Sequence, residues 1–353
     1  MTASGRRWHK AALAAASAAA SIAFVAGALA PDGQPETGPG TGSGTGVDSA
    51  ATAEPRARGI DEPRPGLAET DRASADPVTV VAAGDIACDP ANPEFNGGSG
   101  VGDECRAKAV ARLIAKIGPQ ALLTLGDHQY DDGRYPKFLR SYDMSYGAFK
   151  AITYPAVGNH EYYSSPRARG FFDYFGAQAG DAGAGWYSVN LGAWHVVALN
   201  SNCTIVGCGK GSDQFTWLQE DLAADQSACT VAFWHAPRFS SGPHGPDPSV
   251  TPMWRLLDRD GADLVLSGHD HIYERFRRQD ASGRRDPLGI RQFIVGTGGA
   301  ETYWIEEVQR NSQVRKAHTL GALSLTLRDT SYDWEFVPAL GDRFSDAGTA
   351  DCV

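Results

Sequence analysis

The stretch ALLTLGDHQYDDG, residues 121–133, joins an apolar run to a dense group of polar side chains. ALLTL is leucine-rich and ends at a glycine, which is typical of a buried β-strand. Asp127 follows that glycine, and Tyr130 comes shortly after it. The role of this segment depends on whether Tyr130 is a surface aromatic in a polar loop or a residue that binds something.

Further apolar runs of the chain end in polar residues in the same way. VTVVAA (78–83) is followed by Asp85, TYPAV (153–157) by Asn159, His160 and Glu161, TVAFW (230–234) by His235, and ADLVLS (262–267) by His269 and His271. Strand ends of an open α/β sheet gather their loops in one crevice, so we expect these side chains to lie together. Carboxylate, imidazole, amide and phenolate groups are ligands of metals such as Fe, Zn and Mn. The runs therefore predict a metal site, in which Asp127 could bridge two ions through its two oxygens.

The segments between these runs have the patterns of helices and hairpins. CRAKAVARLIAKIGP (105–119) carries apolar residues at helical spacing and stops at Gly118, and FTWLQEDLAAD (215–225) is a second predicted helix. WYSVNLGAWHVVALN (186–200) and ALSLTLRDTSYDWEFV (322–337) are predicted hairpins. This mixture indicates an α/β or α+β domain with two sheets or one large sheet.

The first part of the chain has the composition of a targeting segment followed by a linker. Residues 1–30 are basic and then apolar, which predicts an export signal, and the Arg6-Arg7 pair raises the twin-arginine route. An uncleaved membrane anchor is the alternative. Residues 31–76 are rich in Gly, Pro and Thr, which is typical of a flexible linker. The folded domain is predicted to span residues 77–353.

Six cysteines fit an oxidising compartment, and so an exported protein, extracellular or at the cell surface. The pairing that we favour is Cys88–Cys105, Cys203–Cys208 and Cys229–Cys352, although six cysteines allow many others. Zinc binding is the alternative, but no CxxC spacing occurs.

The formal net charge of −10 argues against non-specific nucleic-acid binding, which needs a basic face. It does not exclude a local positive site. His128 has no assigned role, and we expect it at the surface or lining a pocket. His195 lies in a predicted hairpin and is interpreted as structural. VGTGGA (295–300) lacks the Lys-Ser/Thr ending of a P-loop, so we expect close backbone packing near the site.

The order of the motifs resembles the calcineurin-like metallophosphoesterases and, more closely, the purple acid phosphatases. The motifs that carry the resemblance are Asp85, GDHQY, GNHE, VAFWH and GHDH, in that order, and it covers roughly residues 80–340. It implies a two-sheet β-sandwich flanked by helices, with a dinuclear metal site at the strand ends.

The resemblance also implies two sets of metal ligands and two further histidines. The first metal would be held by Asp85, Asp127, Tyr130 and His271, and the second by Asp127, Asn159, His235 and His269. His160 and His244 would act as phosphate ligands or leaving-group acids. Gly245 follows His244 where the plant enzymes have a second histidine, so that contact is absent here.

One position departs from the broader metallophosphoesterase pattern. That pattern has a histidine two residues after the first aspartate, whereas this chain has Ala87 there. The purple acid phosphatases make the same exchange, and Tyr130 is available to replace the missing ligand. The departure and the tyrosine therefore support each other.

The implied cofactor is Fe³⁺ paired with a divalent ion, Fe²⁺, Zn²⁺ or Mn²⁺. Two carboxylates and a Tyr130 phenolate leave such a pair with a surplus positive charge that suits a phosphate monoester dianion. Since free tyrosine has a pKa of about 10, only a strongly acidic metal would hold it as phenolate in mild acid.

The predicted function is hydrolysis of small-molecule phosphate monoesters by a hydroxide generated at the metals, in a coloured and acid-active enzyme. The alternatives are a phosphodiesterase or nucleotidase on the same scaffold and, from a different class, a non-catalytic exported metal-binding protein. The sequence leaves the oligomeric state open.

Overall fold

Thirteen strands in the described part of the chain form two mixed sheets. The computed structural model describes residues 76–353. The predicted export signal and all but the last residue of the predicted linker lie outside these residues, and the domain boundaries stay a prediction. Among residues 76–353, no helix is long and apolar enough to cross a membrane.

The strands are numbered β1 to β13 in chain order. They are β1 (Val78–Ala83), β2 (Ala121–Leu125), β3 (Thr153–Ala156), β4 (Tyr187–Leu191), β5 (Trp194–Ala198), β6 (Cys229–Phe233), β7 (Leu264–Ser267), β8 (Tyr273–Phe276), β9 (Arg291–Val295), β10 (Ser312–Lys316), β11 (Gly321–Leu327), β12 (Ser331–Pro338) and β13 (Asp346–Asp351). A six-stranded sheet has the order β13-β12-β11-β1-β2-β3, and a seven-stranded sheet has the order β10-β8-β9-β7-β6-β5-β4.

Short and medium helices connect the strands. The α-helices are α1 (Ala107–Ile117), α2 (Tyr135–Arg140), α3 (His160–Tyr163), α4 (Arg169–Phe175), α5 (Cys203–Val206), α6 (Asp213–Ala224) and α7 (Thr251–Asp260). Short 3₁₀-helices span Asn96–Gly98, Tyr146–Ile152, Gly176–Ala179 and Pro248–Val250. As predicted, α1 ends at Gly118, whose φ of 69° is left-handed and whose N–H donates to the Ile114 carbonyl.

The parallel strands explain why the apolar runs are continuous rather than alternating. β1, β2 and β3 are parallel neighbours, as are β5, β6, β7 and β9. Both faces of such strands are covered. In β1, Val80 and Ala82 pack into the core between the sheets, while Val81 and Ala83 pack against α1.

Helices cover the outer face of each sheet. Val110 and Ile114 of α1 lie on the outside of the first sheet, and Leu218 of α6 and Trp254 of α7 lie on the outside of the second. The predicted two-sheet sandwich flanked by helices is therefore confirmed. The five predicted strands are present with small shifts at their ends, as are both predicted helices and both hairpins.

Several elements at the margins of the fold were not predicted from the sequence. β8, β10 and β13 contain charged or small residues and no apolar run, so periodicity gives no signal for them. β9 and α7 were also missed, although Met253, Trp254 and Leu257 of α7 are buried at helical spacing.

All three predicted disulfides are confirmed, and the zinc alternative is wrong. They join Cys88 to Cys105, Cys203 to Cys208 and Cys229 to Cys352. The last one links residues 123 positions apart, whereas the Cys203–Cys208 pair is separated by 5 positions. It ties the segment after β13, at the edge of the first sheet, to the first residue of β6 in the second sheet.

Removing the long-range disulfide should destabilise the protein more than removing the short one. In the chain-entropy account, the cost grows with the logarithm of the loop length, so Cys229→Ser/Cys352→Ser should lose about 3 kcal/mol more unfolding free energy than Cys203→Ser/Cys208→Ser. Urea unfolding of both double variants measures the difference. Equal losses would show that loop closure is not the source of the stabilisation.

Candidate metal centre

The backbone turns sharply at the strand ends that carry the predicted ligands. Asp85, Asp127 and His269 have left-handed φ values of 61°, 47° and 70°, and each directly follows a glycine. Residues other than glycine rarely adopt this conformation, and such strain concentrates at functional sites. The turns direct side chains from β1, β2 and β7 toward one point where the two sheets meet.

Glycines beside the ligands allow the loops to approach closely. A Cβ on Gly158 would lie 2.1 Å from Oδ1 of Asp127, and one on Gly268 would lie 2.5 Å from Oδ2 of Asp85. Both distances are far shorter than any van der Waals contact. The glycines of GNHE and GHDH are therefore needed because the two carboxylates pack directly against the neighbouring backbone.

The structure brings together the four residues predicted for the first metal. The Tyr130 hydroxyl lies 2.9 Å from Oδ1 of Asp85 and 2.9 Å from Nε2 of His271. It also lies 3.2 Å from Oδ2 of Asp127. Tyr130 is buried and is therefore not a surface aromatic.

The residues predicted for the second metal form an adjoining group around Nε2 of His235. This nitrogen lies 3.1 Å from Oδ2 of Asp127, 2.9 Å from Oδ1 of Asn159 and 3.1 Å from Nδ1 of His269. Asp127, His235 and His269 present ligand atoms within 4.8 Å of one another. Both groups thus share Asp127.

Asp127 contacts both groups through one oxygen, Oδ2. Oδ2 faces Tyr130 and His235, while Oδ1 accepts a hydrogen bond of 2.9 Å from the backbone N–H of His160. Asp85 is held similarly, because its Oδ2 accepts the N–H of His269 at 2.9 Å. In each carboxylate, one oxygen accepts a hydrogen bond from a neighbouring loop, and the other oxygen faces the centre.

Backbone carbonyls fix which ring nitrogen of three histidines faces the site. Nδ1 of His235 lies 2.8 Å from the Leu125 carbonyl, and Nδ1 of His271 lies 2.8 Å from the Glu301 carbonyl. Nδ1 of His160 likewise lies 2.7 Å from the Asp131 carbonyl. Because a carbonyl can only accept, each Nδ1 must carry the proton, which leaves Nε2 as the ligand atom.

The electrostatics of the site favour bound positive charge. Burial opposes ionisation of Asp85 and Asp127, but the charges of His271 and His235 outweigh it and lower both pKa values. The Asp127 charge in turn overcomes burial and raises the pKa of His235 to about 10. Burial and then His235 lower the pKa of His269 to about 3, so that ring is neutral.

The environment of Tyr130 favours the protonated phenol in the absence of a cation. Burial, followed by the charges of Asp127 and Asp85, raises its pKa well above the ordinary value. Two carboxylates, an amide oxygen, imidazole nitrogens and a phenol therefore converge at a point that favours positive charge. This donor set fits a pair of borderline-to-hard metal ions.

The two predicted catalytic histidines lie at the open side of this group. Nε2 of His160 is 3.8 Å from Oδ2 of Asp127, and the side chain is 23% exposed. His244 is exposed and stacks on His269, with ring centroids 4.2 Å apart. Both rings can reach a molecule that approaches from solvent.

Two buried acidic residues, for which the sequence predicted no role, hold the loops in place. The buried Glu161 carboxylate accepts the backbone N–H groups of Asp127, His128 and Gly158 at 2.8 to 3.1 Å. The buried Asp270 accepts the N–H of His244 at 2.9 Å and the hydroxyl of Ser240. Glu161 and Asp270 sit within GNHE and GHDH, but their types alone do not distinguish a positioning acid from a ligand.

Tyr303 is a further residue that the motifs do not reveal. Its ring stacks on His271 with centroids 4.0 Å apart and an interplanar angle of 3°. The stacking contact helps to fix the plane of the His271 ring. No motif spacing links Tyr303 to the site, so contact in the fold is the only signal.

The prediction for His128 is wrong. The residue is fully buried, its Nε2 bonds to the Thr124 hydroxyl at 2.7 Å, and its ring packs against Phe171 and Phe175. His195 lies in β5 with Nε2 2.8 Å from Asp221, as a structural residue would. The backbone packing expected of VGTGGA is also present, since a Cβ on Gly298 would lie 2.4 Å from the Gly84 carbonyl oxygen.

A cavity of about 110 Å³ adjoins Tyr130 and His271, next to the Cys88–Cys105 disulfide. We call it the acidic cavity, because its lining includes Asp89, Glu104, Asp131 and Glu301. Burial and the charge of Glu301 raise the pKa of Glu104. This side of the centre is therefore unfavourable for anions.

The chain belongs to the calcineurin-like phosphoesterase family, whose sequence model matches residues 78–273. Membership implies a dinuclear metal centre. Several curated relatives are purple acid phosphatases. Purple acid phosphatase 18 of Arabidopsis thaliana is 30% identical over 155 residues, which cover 40% of this chain and 35% of that protein. The chain spans about a quarter to a third of the length of the first such relatives.

Two solved structures share the fold. The purple acid phosphatase PPD1 from yellow lupin (Lupinus luteus) seeds has a TM-score of 0.64 at 18% identity, covering 78% of this chain and 54% of that one. GAP50, described as the anchor in the inner membrane complex of Plasmodium, has a TM-score of 0.56 at 13% identity, covering 79% of this chain and 90% of that one.

Gly158→Ala should weaken metal binding, because its Cβ would lie 2.1 Å from Oδ1 and 2.3 Å from the backbone nitrogen of Asp127. The new methyl group would collide with Oδ1 of Asp127 and displace the shared carboxylate, so we expect a loss of roughly 10–100-fold in metal affinity. Gly209→Ala is the matched control, since nothing lies within 4 Å of its Cβ position. Metal content after dialysis measures the effect. Unchanged metal content in Gly158→Ala would contradict the assignment of Asp127.

Proposed function

We propose that this chain is an exported, metal-dependent phosphatase that hydrolyses phosphate monoesters. The observation that carries the proposal is the Tyr130 hydroxyl, which lies within 3.2 Å of Asp85, Asp127 and His271 at an open rim of strand ends. The family, the purple acid phosphatase relatives and the three disulfides support it.

The proposed ligands divide as the resemblance implies. The first metal is held by Asp85, Asp127, Tyr130 and His271, and the second by Asp127, Asn159, His235 and His269. When bound, such a pair supplies Lewis acidity to phosphoryl oxygens and lowers the pKa of water. His160 and His244, the two histidines at the open side of the centre, would bind the ester and transfer protons.

His160 is suited to the leaving-group side of the reaction. The Asp131 carbonyl holds its Nδ1 proton, so Nε2 is the atom that faces an incoming ester. In its protonated form this nitrogen can donate to a phosphoryl oxygen or to the departing alkoxide. His244 extends the rim on the other side, where its stacking on His269 orients the ring toward the same ester.

The environment of Tyr130 supports a proposal for the identity of the first metal. Burial and two carboxylates make ionisation of this phenol difficult. A strongly acidic trivalent ion held by Tyr130 would favour the phenolate, whereas a divalent ion would do so less strongly. We propose Fe³⁺ at this position with Fe²⁺, Zn²⁺ or Mn²⁺ at the other.

Tyr130→Phe should abolish the visible absorption of the iron-loaded protein. The colour expected of wild type comes from the bond between the phenolate and Fe³⁺, and phenylalanine cannot form it. Tyr303→Phe is the control, because Tyr303 stacks on His271 but its hydroxyl faces Glu301. A visible spectrum with metal analysis gives the readout. Colour that persists in Tyr130→Phe would rule out the tyrosinate assignment.

The acidic cavity favours simple monoesters over nucleotides. The carboxylates of Glu104 and Glu301 line the space beside Tyr130 and His271. A nucleoside diphosphate leaving group carries negative charge into that field, whereas a neutral alcohol does not. We therefore favour a phosphate monoesterase over a nucleotidase on the same scaffold.

We expect kcat/KM for p-nitrophenyl phosphate to exceed that for ATP by about ten-fold or more at low ionic strength. Bis-p-nitrophenyl phosphate should be slower still. The double variant Glu104→Gln/Glu301→Gln should reduce the difference in kcat/KM between ATP and p-nitrophenyl phosphate. A faster rate on the bis-ester would identify a phosphodiesterase, and a faster rate on ATP a nucleotidase.

A non-catalytic role is the second candidate, since a protein described as an anchor shares the fold. Metal-loaded protein that hydrolyses none of these esters would favour that role. Every residue of the implied ligand set is present and gathered at one point, which supports the enzyme.

A further inference from the structure

A second cavity, of about 210 Å³, is formed largely by arginines. We call it the arginine cavity; its lining includes Arg277, Arg278, Arg285, Arg291, Gln313 and Asp286. This concentration of positive charge occurs in a chain whose formal net charge is −10. It lies where the segment between β8 and β9 meets β10.

Most of the positive charge in the arginine cavity has no partner in the described part of the chain. Within residues 76–353, no carboxylate forms an ion pair with Arg277, Arg285 or Arg291. The neighbouring Arg275 differs, because Asp346 binds it through two hydrogen bonds of 2.7 and 2.9 Å. The charge that faces the cavity is therefore not neutralised by Asp346.

Arg291 is the most unusual member of the group. Its Nε and Nη1 atoms are buried and have no hydrogen-bond partner. The guanidinium lies over the Trp334 ring, 4.6 Å from the centroid. Buried donors without acceptors are rare in folded proteins, and such groups point to a missing water or ion.

The charges in the cavity also oppose one another. Burial, with the positive charges of Arg275 and Arg278, lowers the pKa of Arg291. Arg278 is fixed by hydrogen bonds to the carbonyls of Gly289 and Asp351, at 3.3 and 2.6 Å. A bound anion would relieve this repulsion.

The arginine cavity is separate from the candidate metal centre. Arg291 is the first residue of β9, whereas Gly296, just after the end of β9, approaches Asp85. Five residues of extended strand span about 16 Å. The two sites therefore lie at opposite ends of the same strand.

We propose that the arginine cavity binds a dianionic oxyanion group of the phosphate or sulfate type. Guanidinium groups present pairs of N–H donors that match the oxygens of such a group, and several together neutralise its charge. Arg291 supplies buried positive charge at the base, while the exposed Arg277 and Arg285 supply N–H donors and charge at the mouth. The group is either a free ion or part of a larger molecule.

The test is calorimetric titration of the metal-loaded protein at constant ionic strength with two probes. Sodium sulfate represents the free ion, and phenylphosphonate represents an oxyanion carried on a larger group that phosphatases cannot hydrolyse. Arg277→Gln and Arg285→Gln should each weaken binding by roughly ten-fold. Arg284→Gln is the control, because it removes the same charge at the adjacent position. Arg284 is paired with Asp280, so the Arg284→Gln variant should bind the probes like wild type.

The variants separate this site from the metal centre. Binding of either probe at the metals would not change in Arg285→Gln, so a difference between Arg285→Gln and Arg284→Gln reports the arginine cavity alone. Binding of sulfate supports a free ion, and binding of phenylphosphonate alone supports a carried group. Equal binding by all variants, or no saturable binding by wild type, would overturn the proposal. Hydrolysis of p-nitrophenyl phosphate should be unchanged in these variants, so the outcome is independent of the phosphatase assignment.

Discussion

The carboxylate of Asp127 connects the two groups of side chains in the candidate metal centre. One oxygen faces Tyr130 on one side and His235 on the other, while the second oxygen accepts the N–H of His160. Gly158 packs against the same carboxylate. A change in the position of this one side chain would therefore disturb both proposed metal positions and the loop that carries His160.

The centre also depends on the contact between the two sheets. Asp85 and Asp127 follow strands of the first sheet, whereas His235 and His269 follow strands of the second. The apolar core between the sheets, which includes Leu125 and Phe233, sets the distance between these strand ends. Packing energy spread over the sandwich thus holds like charges and buried polar groups together at its edge.

The sequence predicted the parts of the structure in which local pattern and tertiary environment agree. Buried parallel strands such as β2 produce apolar runs, and the ligands directly follow them. β13 has no such run, because it is an edge strand defined by pairing with β12. The roles of Glu161 and Tyr303 arise from contacts between distant segments, and the burial of His128 arises from aromatic neighbours on α4. None of these contacts leaves a periodic signal in the chain.

The Cys229–Cys352 disulfide bears on the motions available to the molecule. It joins the start of β6 to the tail of the first sheet, and His235 follows the other end of that strand. Sliding one sheet over the other would move His235 away from Asp127, and the covalent link restricts that shear. The disulfide therefore braces the two sheets at the end of β6 opposite to His235, which keeps the side chains from the second sheet aligned with those from the first.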